Sequence, residues 1–136
     1  MVKIVVDTDA WIEIFLGSAK GRAAKAKIED AESVFTPDIV LAEVARKYLS
    51  EGIAEAVVQK RLATILGASE AIRTDQAVAV ESAKAHAELD AQSREAGISR
   101  PSLFDAMVLA AARVNQGKVL TGDRHFRDLP ETVWLG

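Results

Sequence analysis

The chain of 136 residues contains no cysteine. Disulfides and thiolate metal sites are therefore excluded. The absence fits a reducing compartment, and a cytoplasmic location is expected. Only two histidines are present, and neither His-x-x-x-His nor Glu-x-x-His spacing occurs. Any metal must be held mainly by oxygen, with no zinc motif on offer. Long apolar runs are also missing: none reaches the ~18 residues of a membrane helix. The first residues start a strand at once, without a signal-peptide layout. No membrane partner is expected. An excess of basic charge is absent too. The net charge of −3 is not the footprint of a strong non-specific nucleic-acid binder. A local basic patch can still coexist with an acidic site. Internal repeats and low-complexity linkers are not seen.

What is present is globular in character: 49% apolar and 27% charged residues, enough for a real core. One domain over residues 1–136 is expected. VKIVV (2–6) is a β-branched run suited to a buried strand. A helix follows at about 9–16, closed near Gly17, then an alanine- and charge-rich helix over 19–31. SVFT (33–36) reads as a second strand. Thr36-Pro37 reads as an N-cap and a first-turn proline opening a helix to about Ser50, stopped by Gly52. Residues 53–66 carry helical apolar spacing and end at Gly67. SEAIRT (69–74) is a weak third strand. Helices over 75–95 and 102–116 precede KVLT (118–121) and TVWL (132–135), the fourth and fifth strands. The alternation predicts an α/β fold, a mostly parallel five-stranded sheet with helices on both faces. Ligands in such sheets sit beyond the carboxyl ends of the strands. Asp7 and Asp123 both lie just past such ends.

Acids inside apolar helices are the most informative residues. Asp105 stands in SLFDAMVLAAARV, and Glu43 stands between Leu41, Ala42, Val44 and Ala45. An unpaired buried carboxylate is expensive and tends to take up a proton. Each acid has a plain structural reading. Ser102 and Asp105 match a capping box. Glu43 fits a half-exposed face beside Arg46 and Lys47. Asp7 and Asp123 fit turns. Taken together, four carboxylates drawn to one place would repel, and a hard divalent cation resolves the conflict. Mg²⁺ or Mn²⁺ prefers such oxygens and can activate water against a phosphodiester.

The order Asp7 in VVDTDAWI, Glu43 in VLAEV, Asp105 in LFDAMVLAAA and Asp123 in LTGDRHF resembles a PIN domain over essentially the whole chain. The resemblance implies a compact α/β ribonuclease using Mg²⁺ or Mn²⁺. It makes Asp7, Glu43, Asp105 and Asp123 the catalytic and metal-binding quartet. The short form is similar to VapC-type toxins of toxin–antitoxin pairs, which implies an RNA substrate, a VapB-like antitoxin and a homodimer. Thr121 matches a hydroxyl position of the family, and Thr8 falls where the family often places a small polar residue. Asp9 departs from it, since asparagine or serine is frequent there. An outer-shell ligand and a helix cap are both open for Asp9, the cap being favoured. His125 is expected at the rim. Arg22, Arg46, Lys47, Arg100 and Arg113 are the candidate RNA contacts.

Two rivals stand beside this reading. IVVDTDAW also resembles the D-x-D of haloacid-dehalogenase-type phosphatases, with Asp7 as nucleophile and Asp9 as acid/base. GDRHFRD resembles that family's later acidic motif through Asp123 and Asp128. Against it, Trp11 is unusual there, the chain is short, and Glu43 and Asp105 are left without a task. The other rival is a non-catalytic scaffold that binds RNA or protein. Apolar Trp11, Ile12, Phe15, Val57 and Leu62 fit either core packing or a dimer or antitoxin surface.

Overall fold

The computed structural model describes residues 2–136. Five strands and six helices alternate: β1 (Lys3–Val6), α1 (Thr8–Leu16), α2 (Ala19–Asp30), β2 (Ser33–Pro37), α3 (Asp38–Ser50), α4 (Glu55–Ala68), β3 (Glu70–Ile72), α5 (Gln76–Ala96), α6 (Leu103–Val114), β4 (Lys118–Thr121) and β5 (Thr132–Trp134). A 3-10 turn at Arg124–Phe126 lies between β4 and β5. The sheet order is β3-β2-β1-β4-β5 and every pair is parallel. The expected α/β sheet is found, with parallel pairing throughout.

This order sets the position of the site. From β1 the chain winds outward through β2 to β3, then returns to the other side of β1 for β4. Right-handed crossovers running in opposite directions put α1–α4 on one face and α5–α6 on the other. The reversal falls between β1 and β4, whose onward connections run to opposite sides, to β2 and to β5. A crevice opens there at the carboxyl ends. Val5, Val6, Val119 and Leu120 fill the central strands with no exposure, consistent with a sheet covered on both faces.

Helix entry and exit follow local chemistry, with two corrections. Asp7 caps α1, and Gly17 closes it in the left-handed region at φ 69. Thr36 does not cap α3. It is the buried penultimate residue of β2, and its hydroxyl accepts the Trp11 indole N–H at 3.1 Å and meets the Ser69 hydroxyl at 2.7 Å. α3 begins at Asp38 with no side-chain cap. A buried indole N–H needs an acceptor, and that need takes the hydroxyl. Gly67 lies within α4, which runs on to Ala68. Trp11 and Ile12 are core residues, Phe15 and Leu62 pack partly against that core, and Val57 remains exposed.

Candidate active site

Each acid is held by the local structure that its sequence dictates. Asp7 ends β1 and starts α1. Its Oδ1 accepts the Thr8 N–H at 2.8 Å, and its Oδ2 accepts the Thr121 hydroxyl at 2.9 Å. Its own N–H continues the sheet ladder to the Leu120 carbonyl at 3.2 Å. The carboxylate is thus buried at a helix N-terminus, where the dipole favours negative charge. Thr8, next in line, donates its hydroxyl to Glu43 Oε1 at 2.9 Å and ties α1 to α3.

Asp105 satisfies both of its readings at once. Ser102 and Asp105 form a complete capping box, Ser102 N–H to Asp105 Oδ2 at 2.9 Å and Asp105 N–H to Ser102 Oγ at 3.1 Å. The same carboxyl faces the crevice. Asp123 caps the 3-10 turn, its Oδ1 accepting the His125 N–H at 2.9 Å. The four acids then line one cleft of about 350 Å³, together with Thr8, Asp9, Ile12, Glu13 and Lys47.

Crowding has an electrostatic consequence. Burial pushes the Asp7 carboxyl well above the usual range, and the neighbouring Asp9 charge raises it further against bonds from Thr8 and Thr121. Burial likewise raises Asp9, Glu43 and Asp105, each partly countered by its hydrogen bonds. A cation placed among these groups would reverse the preference and let them ionise. The Asp105 and Asp123 carboxylate oxygens approach within 4.8 Å of one another, close enough to share one ion. Hard oxygen donors suit Mg²⁺ or Mn²⁺.

His125 is turned inward rather than left at the rim, with its side chain only 14% exposed. Its Nδ1 faces Asp123 Oδ1 at 2.7 Å and its Nε2 the Ser99 carbonyl at 2.8 Å. A carbonyl only accepts, so Nε2 carries a proton. Burial alone would lower the imidazole pKa, but the Ser99 carbonyl and the Asp123 carboxylate outweigh it and raise it. With both nitrogens engaged, His125 orients Asp123. Nothing in Arg-His-Phe as a tripeptide signals this, because Ser99 comes from the loop before α6.

Asp9 does not cap α1, since Asp7 holds that place. Its Oδ2 accepts the Gly122 N–H at 2.7 Å, and its Oδ1 lies 3.1 Å from the Thr121 hydroxyl, whose single proton it shares with Asp7. Glu13 and Ile12 also face the cleft. The four-residue spacing from Asp9 to Glu13 and from Thr8 to Ile12 places them on the same helix face, a signal the sequence carried.

The candidate RNA contacts separate. Lys47 lines the cleft and makes only an exposed pair with Glu51 at 3.2 Å. Arg46 is exposed, and its charge favours ionised Glu43. Arg22 is exposed and bonds the Gly17 carbonyl at 2.8 Å. Arg100 pairs with Asp90 at 3.1 Å and holds that carboxyl below its ordinary range. Arg113 spans Glu88 at 2.8 Å and Glu131 at 2.7 Å, with Glu81 at 3.7 Å. Its bonds to Glu88 and Glu131 raise its pKa further. Arg113 is not among the residues lining the cleft. Arg113→Ala is expected to cost about 1–3 kcal/mol, because it strips charged hydrogen bonds from partly buried carboxylates. Thermal melts check this.

The PIN domain family model matches residues 4–132. The chain belongs to the PIN domain family. Solved structures agree in fold. A toxin–antitoxin complex from Klebsiella pneumoniae superposes with a TM-score of 0.69 at 22% identity, covering 98% of each chain. DNA-bound VapBC from Salmonella typhimurium gives 0.66 at 19% identity, covering 100% of each chain. The sarcin–ricin-loop-cleaving toxin VapC20 of Mycobacterium tuberculosis gives 0.55 at 20% identity over 85% of each chain. No curated protein sequence matches. Within the PIN family the phosphatase reading loses its footing, and Asp9, with both oxygens engaged, is not poised as an acid. No helix among the described residues is long and apolar enough to cross a membrane.

Proposed function

We propose that this PIN domain is a Mg²⁺- or Mn²⁺-dependent endoribonuclease, acting in the cytoplasm as the toxin of a toxin–antitoxin pair. The observation that carries the reading is the meeting of Asp7, Glu43, Asp105 and Asp123 in one cleft at the switch point of the sheet. Asp7, Asp105 and Asp123, with Glu43, are the residues that would hold the ion. Bound there, a divalent ion lowers the pKa of water and offsets charge on the phosphodiester. The chain supplies the remaining parts. The Thr121 hydroxyl orients Asp7, Thr8 orients Glu43, and His125 orients Asp123. The acids repel phosphate, so the substrate backbone needs cations. Lys47 stands on the cleft wall, with Arg46 beside it on α3, while Arg22 and Arg100 are more distant candidates. No side-chain nucleophile is required.

The toxin assignment rests on family membership and on structural neighbours that are themselves toxin–antitoxin complexes. The same neighbours support an antitoxin partner, and a homodimer is part of the proposal. Exposed Leu16, Leu49, Val57 and Leu66 on α1, α3 and α4 offer apolar surface for such a partner. The decisive experiment is cleavage of end-labelled RNA with Mg²⁺, with Mn²⁺ and with excess EDTA. Cleavage that needs the metal is expected. Cleavage that persists in EDTA would refute the reading, and RNA binding without cleavage would favour a scaffold. A small open reading frame just upstream, whose product suppresses cleavage, is the expected sign of an antitoxin.

A further inference from the structure

We infer that Asp9 is a positioning residue that clamps the exit of β4 and thereby sets the Asp123 carboxylate against Asp105. Three observations meet on it. The Gly122 N–H reaches Asp9 Oδ2 at 2.7 Å, the short range of a charge-assisted bond. The Thr121 hydroxyl reaches Asp9 Oδ1 at 3.1 Å and Asp7 Oδ2 at 2.9 Å, and it accepts the Asp123 N–H at 3.0 Å. A Cβ on Gly122 would sit 3.1 Å from Asp9 Oδ2, so the backbone approaches as closely as it does because residue 122 lacks a side chain.

The clamp therefore grips two consecutive residues, Thr121 and Gly122, directly before Asp123. It grips them from the first turn of α1, which Asp7 caps. One rigid corner thus fixes two site acids, Asp7 by its own bonds and Asp123 through the turn held by Asp9. Both Asp9 oxygens face this turn, and the residue acts by the geometry it imposes there. Asparagine can replace it in this task. Its amide oxygen accepts the Gly122 N–H, and its NH₂ donates to the Thr121 hydroxyl, leaving that hydroxyl's own proton for Asp7. Alanine cannot.

The consequence for turnover rests on the ribonuclease reading, whereas the clamp itself does not. The test compares wild type, Asp9→Asn and Asp9→Ala by three measurements: hydrogen exchange of the Gly122 amide, Mn²⁺ affinity by electron paramagnetic resonance, and kcat and KM on RNA. Loss of an orienting partner costs about 10- to 100-fold in metal affinity or activity. Asp9→Ala should show a fall in that range in Mn²⁺ affinity and kcat, little change in KM, and a Gly122 amide that exchanges freely. Asp9→Asn should keep the amide protected and recover most of kcat and affinity. If Asp9→Asn loses Mn²⁺ as Asp9→Ala does, with Gly122 still protected, Asp9 works through its charge and the inference is wrong. A protected Gly122 amide in Asp9→Ala would equally overturn it. If wild type does not cleave RNA at all, the ribonuclease reading fails, while the exchange and Mn²⁺ measurements still decide the clamp.

Discussion

On the ribonuclease reading, replacing Asp7 by asparagine should cut metal-dependent RNA cleavage by more than ~100-fold, since outer-shell partners alone cost about 10- to 100-fold. The same substitution should raise the melting temperature of the metal-free protein. Asparagine caps a helix about as well as aspartate, so the N-terminus of α1 keeps its partner. What disappears is a buried negative charge beside Asp9, Asp123 and the rest of the acidic wall. A rise of on the order of a few degrees is expected in EDTA. Divalent metal should stabilise wild type more than the variant, because a ligand that binds only the folded state adds to stability.

The pH dependence follows with a definite sign. Burial raises the folded-state pKa of Asp7 above its unfolded value of about 3.9. The folded state therefore binds more protons between the two values, and stability contributed by this group falls as pH rises through that window. Asp9, Glu43 and Asp105 shift in the same direction, while Glu88 and Asp90, paired with arginines, shift the other way. In EDTA the wild type should melt higher at about pH 5 than at about pH 7.5, and Asp7→Asn should shrink that difference. Saturating Mn²⁺ should flatten or invert it. An Asp7→Asn protein that is less stable than wild type in EDTA would show that the carboxylate is a structural asset and not a strained metal ligand.

Among the glycines, Gly21→Ala is expected to be the most damaging substitution. The new Cβ would fall 1.9 Å from the Glu13 carbonyl oxygen and 2.5 Å from its carbon. Both are backbone atoms of α1, so no side chain can swing aside. α2 would have to lift from α1 at the point where Gly21 is buried against it. Overpacking of this kind costs about 1–3 kcal/mol, occasionally more. The better helix propensity of alanine returns at most about 1 kcal/mol. A fall in melting temperature of on the order of 10 °C is expected. Gly67→Ala is the matched control. It lies in α4 with nothing within 4 Å of the added methyl, so it should stabilise by roughly 0.5–1 kcal/mol. Calorimetry on the two variants distinguishes a contact effect from a propensity effect. Equal shifts would contradict the close packing of α1 on α2.

Several features were written locally and could be read directly. Hydrophobic runs of period two or 3.6 located the strands and helices, because burial of one face leaves its spacing in the chain. The alternation of the two implied a covered sheet of parallel strands, which the ladder bears out. Asp7 and Asp123 were visible as acids just past strand ends. Asp105 was visible twice, as a capping residue and as an acid in an apolar helix. Its two readings competed on paper but coexist in space, since a capping carboxylate can still turn toward a crevice.

What the chain could not state about itself was the partner of each polar group. Thr36 looked like a cap because serine and threonine before proline so often are. A buried indole 25 residues away claimed its hydroxyl instead. Asp9 looked like a cap because aspartate at a helix start so often is, and a backbone N–H 113 residues away took it. His125 and Ser99 gave no joint pattern, and Arg113 looked available until Glu88 and Glu131 were placed around it. By itself the sequence determined the elements and the class of fold, and it singled out four of the acids that line the cleft, because periodicity and capping act within a few residues. Only the tertiary structure decided which acid touches which donor and which cations remain free, because those bonds join distant elements and exist only once the sheet has brought β1 and β4 together.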